Sequence, residues 1–322
     1  MPTDFSTPHK ASLAPELAPI AEAFDNEMDH RGLTMGQMRA AYREGLLAQG
    51  VAQNPVSTRE LSVPTRHGPV ATRLYTPPAS SPTPLIVYMH GGGFVVGDLD
   101  CVDVPLHLIC RESGIAILSV DYALAPEAKF PVALEQCEDV LRYAVIHGAA
   151  IGGNGRLGVA GDSAGGNLSA LLAQRLRGDP QVQIAWQCMI NPVVDIRGAR
   201  DEDSPSMRTY RDGPILKRDV MLWFNEMYHE SIDDEIAASP ARTQDLSGLP
   251  PAFVVTAECD ALTDHTAAYA TRMRSAGADV IYTCYRGMFH NFIAYTQRSP
   301  TAYQMVMDVA RAARECLCGA AI

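Results

Sequence analysis

The pattern of apolar and polar positions divides the chain into a helical beginning and a longer part in which strands and helices alternate. Apolar residues recur at helical spacing in segments 21–24 and 35–47, which predicts two short amphipathic helices. Beyond residue 55 the spacing changes to every second residue. Segments 61–63 and 70–75 are therefore predicted to form a strand pair around a short turn.

Continuous apolar runs of strand length follow this pair. Runs without polar alternation are typical of strands that are buried on both faces of a parallel sheet. The runs are 85–89, 115–120, 157–160, 184–190, 253–256 and 280–285. Predicted helices lie between and after them, near 102–112, 132–147, 164–177, 265–276 and 300–316. The alternation predicts an α/β fold with right-handed crossovers.

One stretch, residues 197–240, interrupts the alternation. It carries charged residues, a Ser-Pro step and one aromatic helix at 220–228. We expect this insertion and the N-terminal helices to form a helical cap over the sheet. The predicted organisation is a cap segment, a first part of the core, a cap insertion and a second part of the core, at residues 1–55, 56–196, 197–240 and 241–322.

Composition and charge narrow the class of protein. The 322 residues are 47% hydrophobic and 20% charged, which excludes a disordered chain and a coiled coil. The net charge of −11 disfavours nucleic acids and anionic membrane surfaces as partners. No apolar run reaches the roughly 18–20 residues that span a bilayer, and the N-terminus lacks the pattern of a signal peptide. We therefore expect a cytoplasmic protein.

Metal and cofactor chemistry is not indicated. The eight cysteines are scattered without the paired spacing of a zinc site, and we expect them to be reduced thiols. The acidic runs at 201–203 and 233–235 are interpreted as solvated loop charge rather than as cation ligands. We therefore predict no metal and no cofactor.

The clearest chemical signal is the segment Gly161-Asp162-Ser163-Ala164-Gly165, which follows a predicted strand and opens a predicted helix. A serine nucleophile must project from a sharp turn between a strand and a helix, and small residues on either side let the backbone pack around that turn. The helix N-terminus behind the turn favours developing negative charge. The spacing predicts Ser163 as a nucleophile, with an ordinary turn of glycine and serine as the alternative.

A second signal is His90 followed by three glycines at 91–93, directly after the predicted strand 85–89. Glycines let the backbone approach a substrate closely, so that backbone N–H groups can face a tetrahedral oxyanion. The N–H of Ala164 is a further candidate donor. A flexible turn or a phosphate loop is the alternative, but the sequence after residue 93 lacks the Gly-Lys-Ser/Thr ending of a phosphate loop.

A serine nucleophile needs a base, and His290 is favoured among the nine histidines. It follows the last predicted strand, at the edge of the sheet where parallel strands present their chemistry. The acid that orients the base should follow another strand, and Glu258, Asp260 and Asp264 compete for that role. We favour Asp260, because Glu258 keeps strand register and Asp264 is placed to cap or charge the next helix. The chain order Ser, Asp, His is that of hydrolases built on such a turn.

Taken in order, these motifs resemble the hormone-sensitive-lipase-like esterases, family IV of the bacterial lipolytic enzymes. The likeness rests on HGGG at 90–93, DYALAPE at 121–127, GDSAGGN around Ser163 and DALTD at 260–264, and it covers about residues 56–322. The resemblance implies an α/β-hydrolase fold, in which helices flank a mostly parallel eight-stranded sheet and a helical cap covers it. It also implies carboxylesterase activity on short acyl esters.

The resemblance further assigns roles to individual residues. It implies the following triad and oxyanion hole: Ser163, Asp260 and His290 for the triad, and Gly91, Gly92 and Ala164 for the oxyanion hole. The sequence departs from the family's usual Arg, Pro and Gly at three positions, which hold Ala123, Ala261 and Asn291. None of these departures removes a catalytic group.

We therefore predict a serine carboxylesterase that acts on small-molecule esters, with a homodimer as a further expectation. Phe94, Trp223 and Phe224 are predicted to line the substrate pocket, although the residues at 223 and 224 could also be plain core of a cap helix. One alternative is the same triad acting on an amide, carbamate or lactone, for example as an aryl formamidase. Another is a non-catalytic ligand receptor, because plant gibberellin receptors resemble this family. Those receptors lack the base histidine, which is present here.

Overall fold

The protein is described by a computed structural model that covers residues 11–27, 32–78 and 82–319. Within these residues, eight strands form one sheet. In chain order the strands are β1 (Ser57–Val63), β2 (Val70–Thr76), β3 (Thr83–Met89), β4 (Ala116–Val120), β5 (Gly153–Asp162), β6 (Ile184–Ile190), β7 (Ala252–Cys259) and β8 (Val280–Phe289). Each strand overlaps a segment predicted from the apolar pattern.

The strands lie in the order β1-β2-β4-β3-β5-β6-β7-β8. The β1/β2 and β2/β4 pairs are antiparallel, and all later pairs are parallel. This confirms the predicted mostly parallel sheet of eight strands. The carboxyl ends of β3 and of β5–β8 meet at one edge, so the loops that leave these strands are neighbours.

Helices flank the sheet on both faces. In the described residues they are α1 (Ala18–Glu27), α2 (Met35–Leu47), α3 (Asp103–Ser113), α4 (Val132–His147), α5 (Ala164–Arg175), α6 (Pro205–Tyr210), α7 (Arg218–Tyr228), α8 (Ile232–Ala237), α9 (Thr263–Ser275) and α10 (Pro300–Cys318). α3 and α10 pack on one face, and α4, α5 and α9 pack on the other. No helix of this part of the chain is both long and apolar enough to cross a bilayer.

The central strand β3 explains why the sequence shows continuous apolar runs. Ile86 and Tyr88 pack into the core beneath α3 and α10, whereas Leu85, Val87 and Met89 pack into the core beneath α4 and α5. Successive side chains of a strand point to opposite faces, and here both faces are buried. The run Leu85–Met89 therefore lacks polar alternation, in contrast to the pattern expected for a strand with one face in water.

The two predicted cap segments contain α1 and α2 at one end and α6–α8 in the insertion. Arg39 fastens α2 to the core, because its guanidinium donates to the carbonyl oxygens of Val95 and Ala125 at 2.9 Å each. It also pairs with Glu127 at 2.6 Å. The predicted boundaries at residues 55, 196 and 240 stay predictions.

Candidate active site

Ser163 lies in the sharp turn between β5 and α5. Its backbone has φ 52° and ψ −113°, outside the regions that L-residues favour. Only glycine fits at positions 161 and 165 beside it. A Cβ at Gly165 would overlap the carbonyl oxygen of Met89, and a Cβ at Gly161 would overlap the backbone of Gly165. Close packing holds Ser163 in this conformation at the base of a cleft.

The structure brings Ser163, His290 and Asp260 into one hydrogen-bonded chain. His290 directly follows β8 and Asp260 directly follows β7, and these neighbouring parallel strands end at the same edge. His290 Nε2 lies 2.9 Å from Ser163 Oγ, and His290 Nδ1 lies 2.8 Å from Asp260 Oδ2. All three side chains are buried, with 6% or less of their surface exposed. Such a chain can move a proton from a serine hydroxyl to an imidazole.

Two further donors fix the carboxylate of Asp260. Asn191 Nδ2 donates to Oδ2 at 3.1 Å, and the backbone N–H of Leu262 donates to Oδ1 at 3.1 Å. Asn191 follows β6 and has φ 47°, a conformation that asparagine adopts more readily than most residues. Sequence reasoning missed Asn191, although its place after a strand at the same edge was a usable signal.

The two competing carboxylates have other partners. Glu258 lies within β7 and accepts the backbone N–H of Gly287 at 2.8 Å. Asp264 lies in the first turn of α9, but its carboxylate accepts the backbone N–H of Ser206 at the start of α6, at 2.7 Å. Asp264 therefore caps a neighbouring helix of the insertion. Of the three carboxylates, Asp260 is the one bonded to the histidine.

The glycines of the loop after β3 face different ways. Gly92 and Gly93 line the cleft together with Ser163. Gly91 packs against the carboxylate of Asp162. Gly91 was predicted as an oxyanion donor together with Gly92 and Ala164, and that assignment stays a prediction. Gly93, which was not predicted as a site residue, lines the cleft.

Two backbone features complete this part of the site. Ala164 is the first residue of α5, directly after Ser163, so its N–H belongs to the free N-terminal turn of the helix. The carbonyl of Gly92 accepts the N–H groups of Val95 and Val96 at 3.0 Å each, which closes the glycine loop. These hydrogen bonds fix the backbone of the loop beside Ser163.

Buried polar side chains support the glycine loop from behind. Tyr88 donates to Asp162 Oδ1 at 2.8 Å, and burial raises the pKa of Asp162 to about 6. Tyr122 donates to the carbonyl oxygen of His90 at 2.7 Å and stacks on its ring with the centroids 4.3 Å apart. Burial lowers the pKa of His90, so its ring is neutral at pH 7.

The cleft above Ser163 has a volume of about 780 Å³, including its mouth. Its walls come from the N-terminal helices and from the insertion. The wall residues are Phe24, Met38 and Tyr42 from the first, and Ile215, Leu216, Lys217, Val220, Trp223 and Phe224 from the second. The structure thus places Trp223 and Phe224 on the cleft. The N-terminal helices and the insertion were both expected to cap the sheet, but the individual wall residues Phe24, Met38 and Tyr42 were not predicted.

A second cavity, of about 420 Å³, also reaches Ser163. Phe94 lines this cavity and stacks on Tyr228 with the ring centroids 3.9 Å apart. Gly93, Ser163 and Phe224 line both cavities, as does Leu216. The ring of Phe224 is therefore shared between two spaces that meet at the serine.

Comparison with known proteins gives the family. The sequence matches the family described as alpha/beta hydrolase fold over residues 86–294. The ethyl acetate hydrolase of Pseudomonas putida is 32% identical over 297 residues, which cover 88% of this chain and 92% of that protein. Esterase LipI of Mycobacterium tuberculosis is 34% identical over 254 residues, which cover 76% and 77%. The solved structure of an esterase from the archaeon Pyrobaculum calidifontis has a TM-score of 0.86 and 31% identity, and the match covers 94% of this chain and 98% of that one.

The chain therefore belongs to the α/β-hydrolase-fold family. More particularly, its esterase relatives make it a carboxylic ester hydrolase of the hormone-sensitive-lipase-like group, family IV. The predicted fold, family and enzyme class are confirmed, and small-molecule esters are its class of substrate. The homodimer stays a prediction.

Proposed function

We propose that the enzyme hydrolyses short-chain acyl esters through a covalent acyl-enzyme. Ser163 is the nucleophile, His290 the general base, and Asp260 the residue that orients the base. The observation that carries this proposal is the hydrogen-bonded chain at the base of the cleft, with distances of 2.9 Å and 2.8 Å. A carboxylate at Nδ1 holds the proton on that nitrogen and leaves Nε2 free to accept the serine proton.

In the first half of the reaction, Ser163 Oγ forms a bond to the ester carbonyl carbon while its proton passes to His290 Nε2. The bond from that carbon to the alcohol oxygen then breaks, and His290 gives the proton to the leaving alkoxide. In the second half, His290 takes a proton from water, whose oxygen attacks the acyl-enzyme. The acid leaves when His290 returns the proton to Ser163 Oγ.

Backbone N–H groups stabilise the oxyanion that forms in each half. We assign this role to Gly92, Gly93 and Ala164, because all three adjoin Ser163 on the side of the cleft or at the start of α5. Gly91 packs against the carboxylate of Asp162, which supports a role in holding the loop instead. Donors fixed before the substrate binds need no reorganisation as charge develops.

A preference for short acyl chains has two supports. The second cavity beside Ser163 is small, at about 420 Å³, and Phe94 and Phe224 are among its walls. Two relatives, the ethyl acetate hydrolase of Pseudomonas putida and the acetyl esterase of Salmonella schwarzengrund, are named for two-carbon acyl groups. Both similarities cover four fifths or more of this chain, at 88% and 80%.

Covalent labelling tests the nucleophile. An organophosphonate should add one adduct, on the peptide that contains Ser163, and Ser163→Ala should lower kcat by at least about 10⁴-fold in a folded enzyme. The exposed Ser247→Ala variant is the matched control and should label and turn over normally. Labelling of another serine, or full activity of Ser163→Ala, would contradict the proposal.

A substrate panel tests the reaction. Esters of 4-nitrophenol with acyl chains of increasing length should show falling kcat/KM beyond the short chains, and a matched amide and lactone should be poorer substrates than the ester. Faster turnover of the amide or lactone would favour the alternative reactions of the same triad. Rising kcat/KM with chain length would contradict the short-chain preference.

We further propose that the enzyme works in the cytoplasm. All eight cysteines lie in the described part of the chain and are free thiols, which a reducing compartment favours. Cell fractionation should recover the esterase with cytoplasmic markers. Recovery with the membrane or external fraction would contradict this location.

A further inference from the structure

A polar pair interrupts the apolar wall of the cleft. Tyr42 lies on α2, and Asn291 directly follows His290. Asn291 has φ 62° and ψ 24°, in the left-handed region, and its Nδ2 donates to the hydroxyl oxygen of Tyr42 at 3.3 Å. Both residues line the cleft that holds Ser163. The pair therefore links the cap helix to the residue beside the proposed base.

The hydroxyl proton of Tyr42 has no acceptor among the described residues, because the one hydrogen bond of this hydroxyl is received from Asn291. Burial raises the pKa of Tyr42 well above its ordinary value, so the phenol keeps its proton at all working pH values. Before a substrate binds, water can accept this proton. A bound substrate displaces that water and must either replace the acceptor or leave the donor unpaired.

The surroundings of Tyr42 decide which substrates can replace water as the acceptor of its proton. Most of the other wall residues are apolar, among them Phe24, Met38 and Val220. An ester whose acyl and alcohol parts are purely hydrocarbon would cover those side chains but would leave the phenol proton of Tyr42 without an acceptor. An ester that carries a second oxygen could accept the proton and still cover the apolar wall.

We propose that Tyr42 is a specificity-determining residue that selects esters bearing an additional acceptor oxygen, such as an ether, hydroxyl or carbonyl, outside the scissile group. Asn291 is a positioning residue that holds the Tyr42 hydroxyl by donating to its oxygen. This inference rests on the proposed function, because it assigns the substrate class of the same site.

Matched ester pairs test the inference. In one pair the acyl chain differs by a single exchange of CH₂ for oxygen, 4-nitrophenyl pentanoate against 4-nitrophenyl 3-methoxypropanoate. In the other pair the alcohol differs in the same way, butyl acetate against 2-methoxyethyl acetate. The quantity measured is the ratio of kcat/KM for the oxygen ester to kcat/KM for the carbon ester. Comparing this ratio between enzymes cancels the intrinsic reactivity of the esters.

Tyr42→Phe should lower this ratio by about three- to tenfold in at least one pair, since it removes the donor and keeps the ring. Asn291→Gly keeps the left-handed backbone and should lower the same ratio by a smaller factor. Tyr303→Phe, at an exposed tyrosine of α10, is the control and should leave the ratio unchanged. If Tyr42→Phe does not fold, the ratio in Asn291→Gly decides the question.

An unchanged ratio in both pairs for both variants would overturn the inference, as would an equal fall in the Tyr303→Phe control. Equal losses for the carbon and oxygen esters would also overturn it, because they would indicate a structural role. Phosphonate labelling of Ser163 in each variant separates this failure from failure of the proposed function. Labelling at Ser163 with unchanged ratios would leave the triad standing and remove only the role of Tyr42.

Discussion

The floor of the cleft and its walls are built in different ways. The floor consists of Ser163, Asp260, His290 and the glycine loop at 91–93, which all leave the ends of neighbouring strands and are held by hydrogen bonds and tight backbone packing. The walls consist of side chains from α1, α2 and the insertion, mostly apolar and drawn from distant parts of the sequence. The floor therefore admits few substitutions, whereas the walls can change without removing a catalytic group.

The largest effect is expected in the floor, at Asp260. Asp260→Asn should lower kcat by about 10⁴-fold, because the amide favours the wrong tautomer of His290 and leaves the imidazolium unpaired. The measurement is kcat on a 4-nitrophenyl ester together with the melting temperature, which should stay near that of the parent enzyme.

Asp264→Asn is the matched control, four residues along the same segment. Its side chain accepts the N–H of Ser206, and asparagine retains an acceptor oxygen for that bond. The two variants should therefore differ by at least about two orders of magnitude in kcat. The reverse pattern would move the orienting role to Asp264, and equal mild effects would point to Glu258.

The next largest effect is expected at the contact between Gly93 in the floor and Phe224 in the wall. Gly93 has φ +59°, and a Cβ at this position would overlap the ring of Phe224. Gly93→Ala should therefore lower kcat/KM by about 10²-fold, because it displaces the loop beside Ser163. In the Phe224→Ala background the same substitution should cost less, since the obstructing ring is gone. The cycle compares kcat/KM of the parent, the two single variants and the double variant. Strictly additive free-energy losses would show that Gly93 and Phe224 are not coupled.

A smaller effect is expected when the wall alone is changed. Phe224 lines both cavities, so Phe224→Ala should join them and raise the kcat/KM of a decanoyl ester relative to an acetyl ester by about tenfold. The acetyl ester should be hydrolysed at close to the parent rate. Ile232→Ala, at an exposed residue of α8, is the control. A uniform loss on both esters would place Phe224 in the floor rather than in the wall.

The same contrast explains how much the sequence could predict. Ser163 was predictable because the sharp turn imposes glycines on its own neighbours at 161 and 165. His290 and Asp260 were predictable because residues that follow parallel strands gather at one edge. Nothing in the local sequence of α2 says that Met38 and Tyr42 reach the same cleft as Trp223, because tertiary packing of distant helices decides that.

The glycine loop is the part of the floor that the sequence could not fully predict. Three consecutive glycines at 91–93 carry no side chains that would indicate direction, so their sequence could not tell which N–H groups face the cleft. The structure adds contacts that the sequence does not contain, because Gly91 packs against the carboxylate of Asp162 while Gly92 and Gly93 line the cleft. Long-range packing therefore selects among positions that are chemically identical in the sequence.

The smallest effect concerns the stability of the floor, through Asp162. Burial raises the pKa of this carboxyl from its ordinary value of 3.8 to about 6 in the folded protein. Between these values the folded state binds more protons than the unfolded chain, so the contribution of Asp162 to the free energy of unfolding falls as the pH rises from about 4 to about 6. Above pH 6 the contribution stays level.

Asp162→Asn removes this titration. The free energy of unfolding of the variant, relative to the parent enzyme, should therefore rise by up to about 3 kcal/mol between pH 4 and pH 7, whatever constant difference the lost hydrogen bonds add. Urea unfolding at several pH values measures it. Tyr88→Phe is the companion variant, because loss of the donor to Asp162 should raise the folded-state pKa further and extend the window to higher pH. If the difference in the free energy of unfolding between variant and parent does not depend on pH, the pKa of Asp162 is not raised in the folded protein. Asp162 in the floor would then titrate like a wall residue that is open to water.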